Sequence, residues 1–234
     1  LVSAYLPIDT CRSLWKQEPS VVFAGSGVAK GRARRTKGGW RVSGRWNFVS
    51  GCTTADKWIL NSVVEESSPI QLCFAVVDPN PDFVEDTWHT VGLRGTGSND
   101  VVLDNFFVED QWCGVVANNS LPIPDLPFYR LPSSLRFPFP KTGVAAGLAK
   151  RAISEFQLLA DKKTPLSSKR ELRERPDAAS AIAKAHALVG SGQAWVSDLL
   201  SNIWKIAEKD GQVSEELHAK VRLGCSWSVQ NSIS

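Results

Sequence analysis

Between residues 20 and 110 the apolar positions fall in short runs separated by turn formers. Gly39 to Ser50 alternates bulky with polar positions. Lys57 to Val64 carries Trp58, Ile59, Leu60, Val63 and Val64, and Ile70 to Val77 is almost continuously apolar. Asp100 to Val108 carries Val101, Val102, Leu103, Phe106, Phe107 and Val108. Short runs rich in β-branched and aromatic residues predict strands. Gly38-Gly39 is a hairpin-type turn between Arg35 and Trp40, and Pro79-Asn80-Pro81-Asp82 breaks the chain after Asp78. No helical crossover of the length a parallel sheet requires lies between the runs. The sheet is therefore expected to be mainly antiparallel, a barrel or a sandwich.

The period then changes. Residues 111–140 hold Pro122, Pro124, Pro127, Pro132, Pro138 and Pro140, and no period survives through them, so they are expected to connect two architectures. From residue 141 the spacing is helical. Ala145, Leu148, Ala149, Ala152, Ile153, Phe156 and Leu159 form one stripe, with Thr142 as a candidate cap. A second helix is expected from Pro176, a residue suited to the first turn, with apolar positions from Ile182 to Ile206. A third follows Gly211, with Ser214 as its cap and Leu217, Val221 and Cys225 on one face. These stripes need partners. Leu199, Ile203, Trp204, Ile206, Leu217, Val221 and Trp227 ask for more cover than three helices offer, so a wide exposed apolar patch is expected over residues 195–230. With that shortfall, and a start at Leu-Val-Ser-Ala rather than Met, the chain reads as a fragment.

Composition narrows the functional classes. The 234 residues are 43% hydrophobic and 22% charged, enough for a packed core and too apolar for wholesale disorder. A net charge of +3 is too weak to argue for nucleic acid or an anionic membrane surface. No apolar run is long enough to cross a bilayer. Cys11, Cys52, Cys73, Cys113 and Cys225 are odd in number and widely spaced, with no C-x-x-C, so neither a metal site nor a disulfide framework is indicated. A reducing, cytoplasmic setting is the simplest reading. Asn118-Asn119-Ser120 fits a glycosylation sequon at the level chance supplies.

Several motifs invite a chemical reading. Gly25-Ser26-Gly27-Val28-Ala29-Lys30-Gly31 resembles a phosphate loop only superficially, because it fits neither glycine pattern and no helix is expected after it. Lys30 to Arg45 holds seven basic residues and no acid, which suits solvated strand faces or an anion-attracting patch. Of the three histidines, His186 and His218 fall on helices, while His89 stands beside a glycine-rich loop; no G-x-S-x-G elbow accompanies any of them. Gly44 to Cys52 ends a strand in a hydroxyl and a glycine after aromatic residues. Such a strand end can stack a planar ring and hydrogen-bond its heteroatoms, or it can be a plain turn.

Three stretches resemble the acyl-CoA dehydrogenase superfamily, and most of all its branch of reduced-flavin-dependent monooxygenases: Gly44-Arg45-Trp46-Asn47-Phe48-Val49-Ser50-Gly51-Cys52, then Asp86 to Val101 with Thr87-Trp88-His89 and Gly92-Leu93-Arg94-Gly95-Thr96-Gly97-Ser98, then Leu172-Arg173-Glu174-Arg175-Pro176. The resemblance implies an α+β multidomain fold, an antiparallel β-barrel middle domain followed by a partial α-helical bundle. Residues 1–19 would be the tail of an N-terminal helical domain, 20–110 the flavin-binding barrel, 111–140 the connector and 141–234 an incomplete C-terminal helical domain. It also implies reduced flavin (FMN or FAD) as cofactor, with Ser50 hydrogen-bonded near the flavin N5 and Phe48, Val49 and Gly51 lining the ring. Lys162-Lys163-Thr164 stands where dehydrogenases carry an R-K-T segment that reaches a neighbouring subunit's cofactor. His89, Arg94, Thr96 and Ser98 are candidate substrate contacts; no catalytic acid or base is assigned. Arg94 to Ser98 is expected to be a tight loop at the barrel edge near the helical domain, its glycines unable to carry side chains.

The activity implied is hydroxylation of an aromatic or phenolic small molecule with O2, reduced flavin coming from a separate flavin reductase. The assembly implied is a homotetramer without nucleic acid or membrane. Two alternatives stay open: an acyl-CoA dehydrogenase using FAD, and a truncated non-catalytic paralogue. Phe23-Ala24-Gly25-Ser26-Gly27-Val28, standing where dehydrogenases have a T-x-P-x-[AG]-G-S-D loop, leans toward the monooxygenase branch.

Overall fold

A computed structural model describes residues 5–117, 126–166, 168–209 and 212–234. The chain divides into two units, Leu1–Pro124 and Asp125–Ser234. Asn118-Asn119-Ser120 and Gly211 lie outside the described residues.

The first unit opens with α1 (Ile8–Gln17), followed by β1 (Phe23–Gly25), β2 (Gly31–Thr36), β3 (Gly39–Trp46), β4 (Lys57–Val64), β5 (Gln71–Val77), β6 (Val84–Glu85), β7 (Asp100–Glu109) and β8 (Cys113–Ala117). These strands form one sheet in the order β6-β7-β3-β2-β4-β5-β8, with β1 alongside β4. The sheet is mixed, which corrects the antiparallel barrel expected from sequence. β2 and β1 both run parallel to β4, while the pairs β2/β3, β3/β7, β4/β5, β5/β8 and β6/β7 are antiparallel. No helix is needed for the parallel pairing. The hairpin strand β3 and the loop 47–56 together carry the chain back to lie beside β2, doing the work of a crossover. The sheet also extends beyond residue 110, since β8 pairs with β5 inside the stretch expected to be connector.

Alternation selects the core. β3 and β4 turn Val42, Trp46, Trp58 and Leu60 inward, where they meet Val101, Leu103, Cys52 and Cys73. Both tryptophans are fully buried, and each indole N–H has an acceptor: Trp46 donates to the Asn61 carbonyl at 2.6 Å and Trp58 to the Cys52 carbonyl at 3.0 Å. Trp58 thereby fastens the loop 47–56 to the core. Gly31 is required by this packing, because a Cβ there would lie 2.2 Å from the Trp46 ring and 2.4 Å from Ser62 Oγ. The register of β3 against β7 slips between Val42 and Gly44, where Asn105 takes a φ of 46° and its N–H donates to Ser43 Oγ.

The second unit contains the short α2 (Pro127–Arg130) and α3 (Ser133–Arg136), then α4 (Pro138–Ala160), α5 (Pro176–Glu208) and α6 (Glu215–Ile233). Pro176 opens α5, and the Ser214 side chain caps α6 by accepting the Leu217 N–H. Helix α4 starts earlier than expected, at Pro138, and Thr142 is not its cap: its hydroxyl donates to the Phe139 carbonyl from inside the first turns. The apolar-patch expectation is corrected in part. Leu199, Ile203 and Val221 are buried with Leu131, Leu135, Ala207 and Cys225, because the α2–α3 segment supplies cover that helix counting omitted. Trp204, Trp227, Leu200 and Leu223 remain exposed.

Candidate functional site

The loop 47–56 leaves the sheet at Trp46 and meets the segment 86–99. Two backbone hydrogen bonds lace them together, from Val49 N–H to the Asn99 carbonyl (3.1 Å) and from Gly51 N–H to the Thr96 carbonyl (2.7 Å). Phe48 and Gly51 have φ of 57° and 80°. Left-handed backbone is easy for glycine and costly for phenylalanine. Phe48 holds it because Val49 beyond is fully buried, so the phenyl ring is turned out and remains 67% exposed. Its edge meets Trp88, ring centroids 6.0 Å apart at 87°.

Beside this aromatic pair runs a chain of three hydroxyls. Ser50 Oγ lies 2.7 Å from Ser98 Oγ, Ser98 Oγ lies 2.7 Å from Thr96 Oγ1, and Thr96 Oγ1 donates to the Leu93 carbonyl at 2.9 Å. Ser50 is exposed; Ser98 is 4% exposed. Residues Arg94–Thr96 form one 3-10 turn between Leu93 and Gly97, which have φ of 55° and 49°. The tight loop expected here is present, but its two glycines differ. Gly97 needs its left-handed backbone, whereas a Cβ on Gly95 would meet open space.

A polar clamp holds the second segment. Asn99 Oδ1 accepts the N–H groups of Thr87 and Trp88, and the Trp88 indole N–H donates to the Leu93 carbonyl at 2.9 Å. Asp100 accepts from Arg45 Nε at 2.7 Å and from Asn47 Nδ2. Burial works against its charge, but the hydrogen bonds from Arg45, Asn47 and Thr87 prevail and hold the carboxyl below the usual carboxylate range. Burial pushes the Cys52 thiol up, so it stays protonated at neutral pH and is no nucleophile.

The structure thus brings Phe48, Val49, Ser50, Gly51, Thr96 and Ser98 together. His89 is exposed, and its Nε2 lies 3.2 Å from the Asp86 carbonyl oxygen and 3.8 Å from the Asp86 carboxylate. Arg94 is exposed, and its carbonyl accepts the Gly97 N–H. Lys162, Lys163 and Thr164 belong to the helical unit, exposed just after α4. Sequence reasoning passed over Trp88 and Asn99. Trp88 was legible as a second aromatic beside the glycine-rich loop, but the role of Asn99 depends on a side-chain turn that no spacing announces.

A curled mixed sheet carrying this loop, followed by long packed helices, is the acyl-CoA dehydrogenase-like fold, and the chain resembles that superfamily over most of its length. Residues 141–234 match the family described as acyl-CoA dehydrogenase, C-terminal domain. Relatives of the chain are named as monooxygenases or hydroxylases, some of them flavin-dependent. The chain is 32% identical over 227 residues to an indole-3-acetate monooxygenase of Acinetobacter baumannii, covering 96% of this chain and 58% of the relative. It is 36% identical over 109 residues to the oxygenase component of an FADH(2)-dependent resorcinol hydroxylase of Rhizobium sp., covering 45% of this chain and 26% of the relative. The crystal structure of 3-HSA hydroxylase from Rhodococcus sp. RHA1 superposes with a TM-score of 0.80 at 22% identity, over 98% of this chain and 61% of that one. The chain therefore spans little more than half the length of the curated relative it matches over most of its length.

Proposed function

We propose that the chain provides the flavin-facing part of a two-component monooxygenase, which hydroxylates an aromatic or phenolic small molecule with O2 and reduced flavin from a separate reductase. The observation that carries this reading is the pairing, on one loop, of an outward phenyl ring in strained backbone with an exposed hydroxyl on a hydrogen-bonded chain. Backbone strain of this kind persists where the surroundings over-determine it, commonly at ligand clamps. The donor set fits an isoalloxazine: Phe48 offers an apolar surface for the ring, and Ser50 offers one polar contact for a ring nitrogen.

Reduced flavin, when bound, supplies the electrons that activate oxygen. Ser50 holds the proton at the flavin N5. Phe48 and the buried Val49 behind it keep water from the ring face. The relatives' names support an aromatic substrate and reduced flavin. Lys162, Lys163 and Thr164 are proposed to reach the cofactor of a neighbouring subunit in a homotetramer, and His89 and Arg94 to face the substrate. The odd number and wide spacing of the five cysteines favour a reducing, cytoplasmic setting.

The test is a coupled reaction with a flavin reductase, NADH, FMN or FAD, indole-3-acetate and 18O2. One 18O atom in the organic product is expected. Reduction of bound flavin by an acyl-CoA without the reductase, or flavin binding with no oxygen transfer to indole-3-acetate or resorcinol, would overturn the reading.

A further inference from the structure

We propose that Thr96 and Ser98 fix the polarity of Ser50, so that its oxygen is presented as a hydrogen-bond acceptor and the site prefers reduced flavin, whose N5 bears a proton, to oxidised flavin, whose N5 bears a lone pair. The proposal rests on the reading above, that Ser50 faces the flavin ring. A serine or threonine hydroxyl has one proton to donate. Thr96 Oγ1 lies 2.9 Å from the Leu93 carbonyl, which can only accept, so the Thr96 proton is spent there. At 2.7 Å from Ser98 Oγ, Thr96 must then accept, and Ser98 donates. With the Ser98 proton spent, the 2.7 Å contact between Ser98 and Ser50 requires Ser50 to donate inward. What Ser50 shows outward is a lone pair.

The anchor of the chain is firm. The Leu93 carbonyl is set by the left-handed backbone at that residue and also accepts the Trp88 indole N–H. Reversing the chain would press the lone pairs of Thr96 Oγ1 against that carbonyl with no proton between. Water offers Ser98 little alternative, because its side chain is buried. Thr96 and Ser98 are therefore positioning residues that act through Ser50, and no covalent step is involved.

The experiment is an anaerobic titration of the full chain with reduced and with oxidised FMN and FAD, yielding the ratio of the two dissociation constants. The wild-type chain should bind the reduced form more tightly. Ser98→Ala releases the Ser50 proton to face the ring, and the ratio should fall about three- to tenfold, a tenfold fall lowering the bound-flavin potential by about 30 mV. Thr96→Val should act in the same direction, and Ser98→Thr should restore the ratio. A purely structural role for Ser98 would weaken both redox forms equally, and that result overturns the proposal. So does a wild-type preference for oxidised flavin. Failure of the wild-type chain to bind either form removes the flavin reading itself, a different outcome from binding without redox preference.

Discussion

Trp58→Phe tests how the core holds the candidate site. The indole is fully buried, and its N–H donates to the Cys52 carbonyl on a loop residue that is itself buried. Phenylalanine keeps one ring and loses both the donor and the second ring. A buried carbonyl left without its partner costs about 1–3 kcal/mol. A void of at least methyl size adds about 1 kcal/mol. The sum, about 2–4 kcal/mol, corresponds to roughly 30- to 700-fold in an opening equilibrium at 1.4 kcal/mol per factor of ten. In a chain of two units a global midpoint mixes the unfolding of both, so a local readout is needed. Hydrogen exchange of β4 and β5 peptides, followed by mass spectrometry, reads the sheet alone. Their exchange should accelerate within that range, and peptides from 47–53 at least as much, while α5 and α6 stay unchanged. Acceleration below threefold in β4 and β5 would show that the indole is not what fastens the loop.

Other perturbations follow from the same geometry. Gly31→Ala drives a Cβ into Trp46 and Ser62 and should destabilise the sheet unit by about 1–3 kcal/mol, read by the same exchange experiment. Gly97→Ala should cost about 1–2 kcal/mol through its left-handed backbone, whereas Gly95→Ala should fall within about 0.5 kcal/mol of wild type. The Asp100 carboxyl is held low in the folded state, so its stabilising effect is present above the unfolded carboxylate range and is lost as pH falls through the lower folded value. Between pH 7 and 5 stability should be flat on this account; below about 4 the sheet unit should weaken, and Asp100→Asn should remove that part of the acid dependence in a pH series of denaturant titrations. Ser50→Ala should leave the fold intact and reduce reduced-flavin affinity, or hasten peroxide release, by about two- to tenfold, the worth of one neutral hydrogen bond.

Much of the fold was legible because the strands alternate cleanly and are bounded by Gly, Pro and Asp. Their pairing was not. That β4 returns beside β2 rather than β3 depends on where the loop 47–56 lands, and side-chain alternation is blind to the direction of a neighbour. Helix α4 shows the opposite case, a signal present but outweighed: Pro138 and Pro140 suit a first helical turn, yet within a proline-rich stretch they read as breakers. At the site, Ser50 and Phe48 were reached through resemblance, not periodicity. The left-handed backbone of Phe48 has no sequence mark, because glycine is the residue that normally signals it. The hydroxyl chain joins residues 48 positions apart, so only the folded sheet reveals that Ser50 and Ser98 are hydrogen-bonded.

The most direct test of the central claim is a crystal structure of the chain grown anaerobically with reduced flavin. The account predicts the ring against Phe48, with N5 about 3 Å from Ser50 Oγ, a hydrogen-bonding distance. A ring bound elsewhere on the chain, with Ser50 and Phe48 still facing solvent, would contradict it.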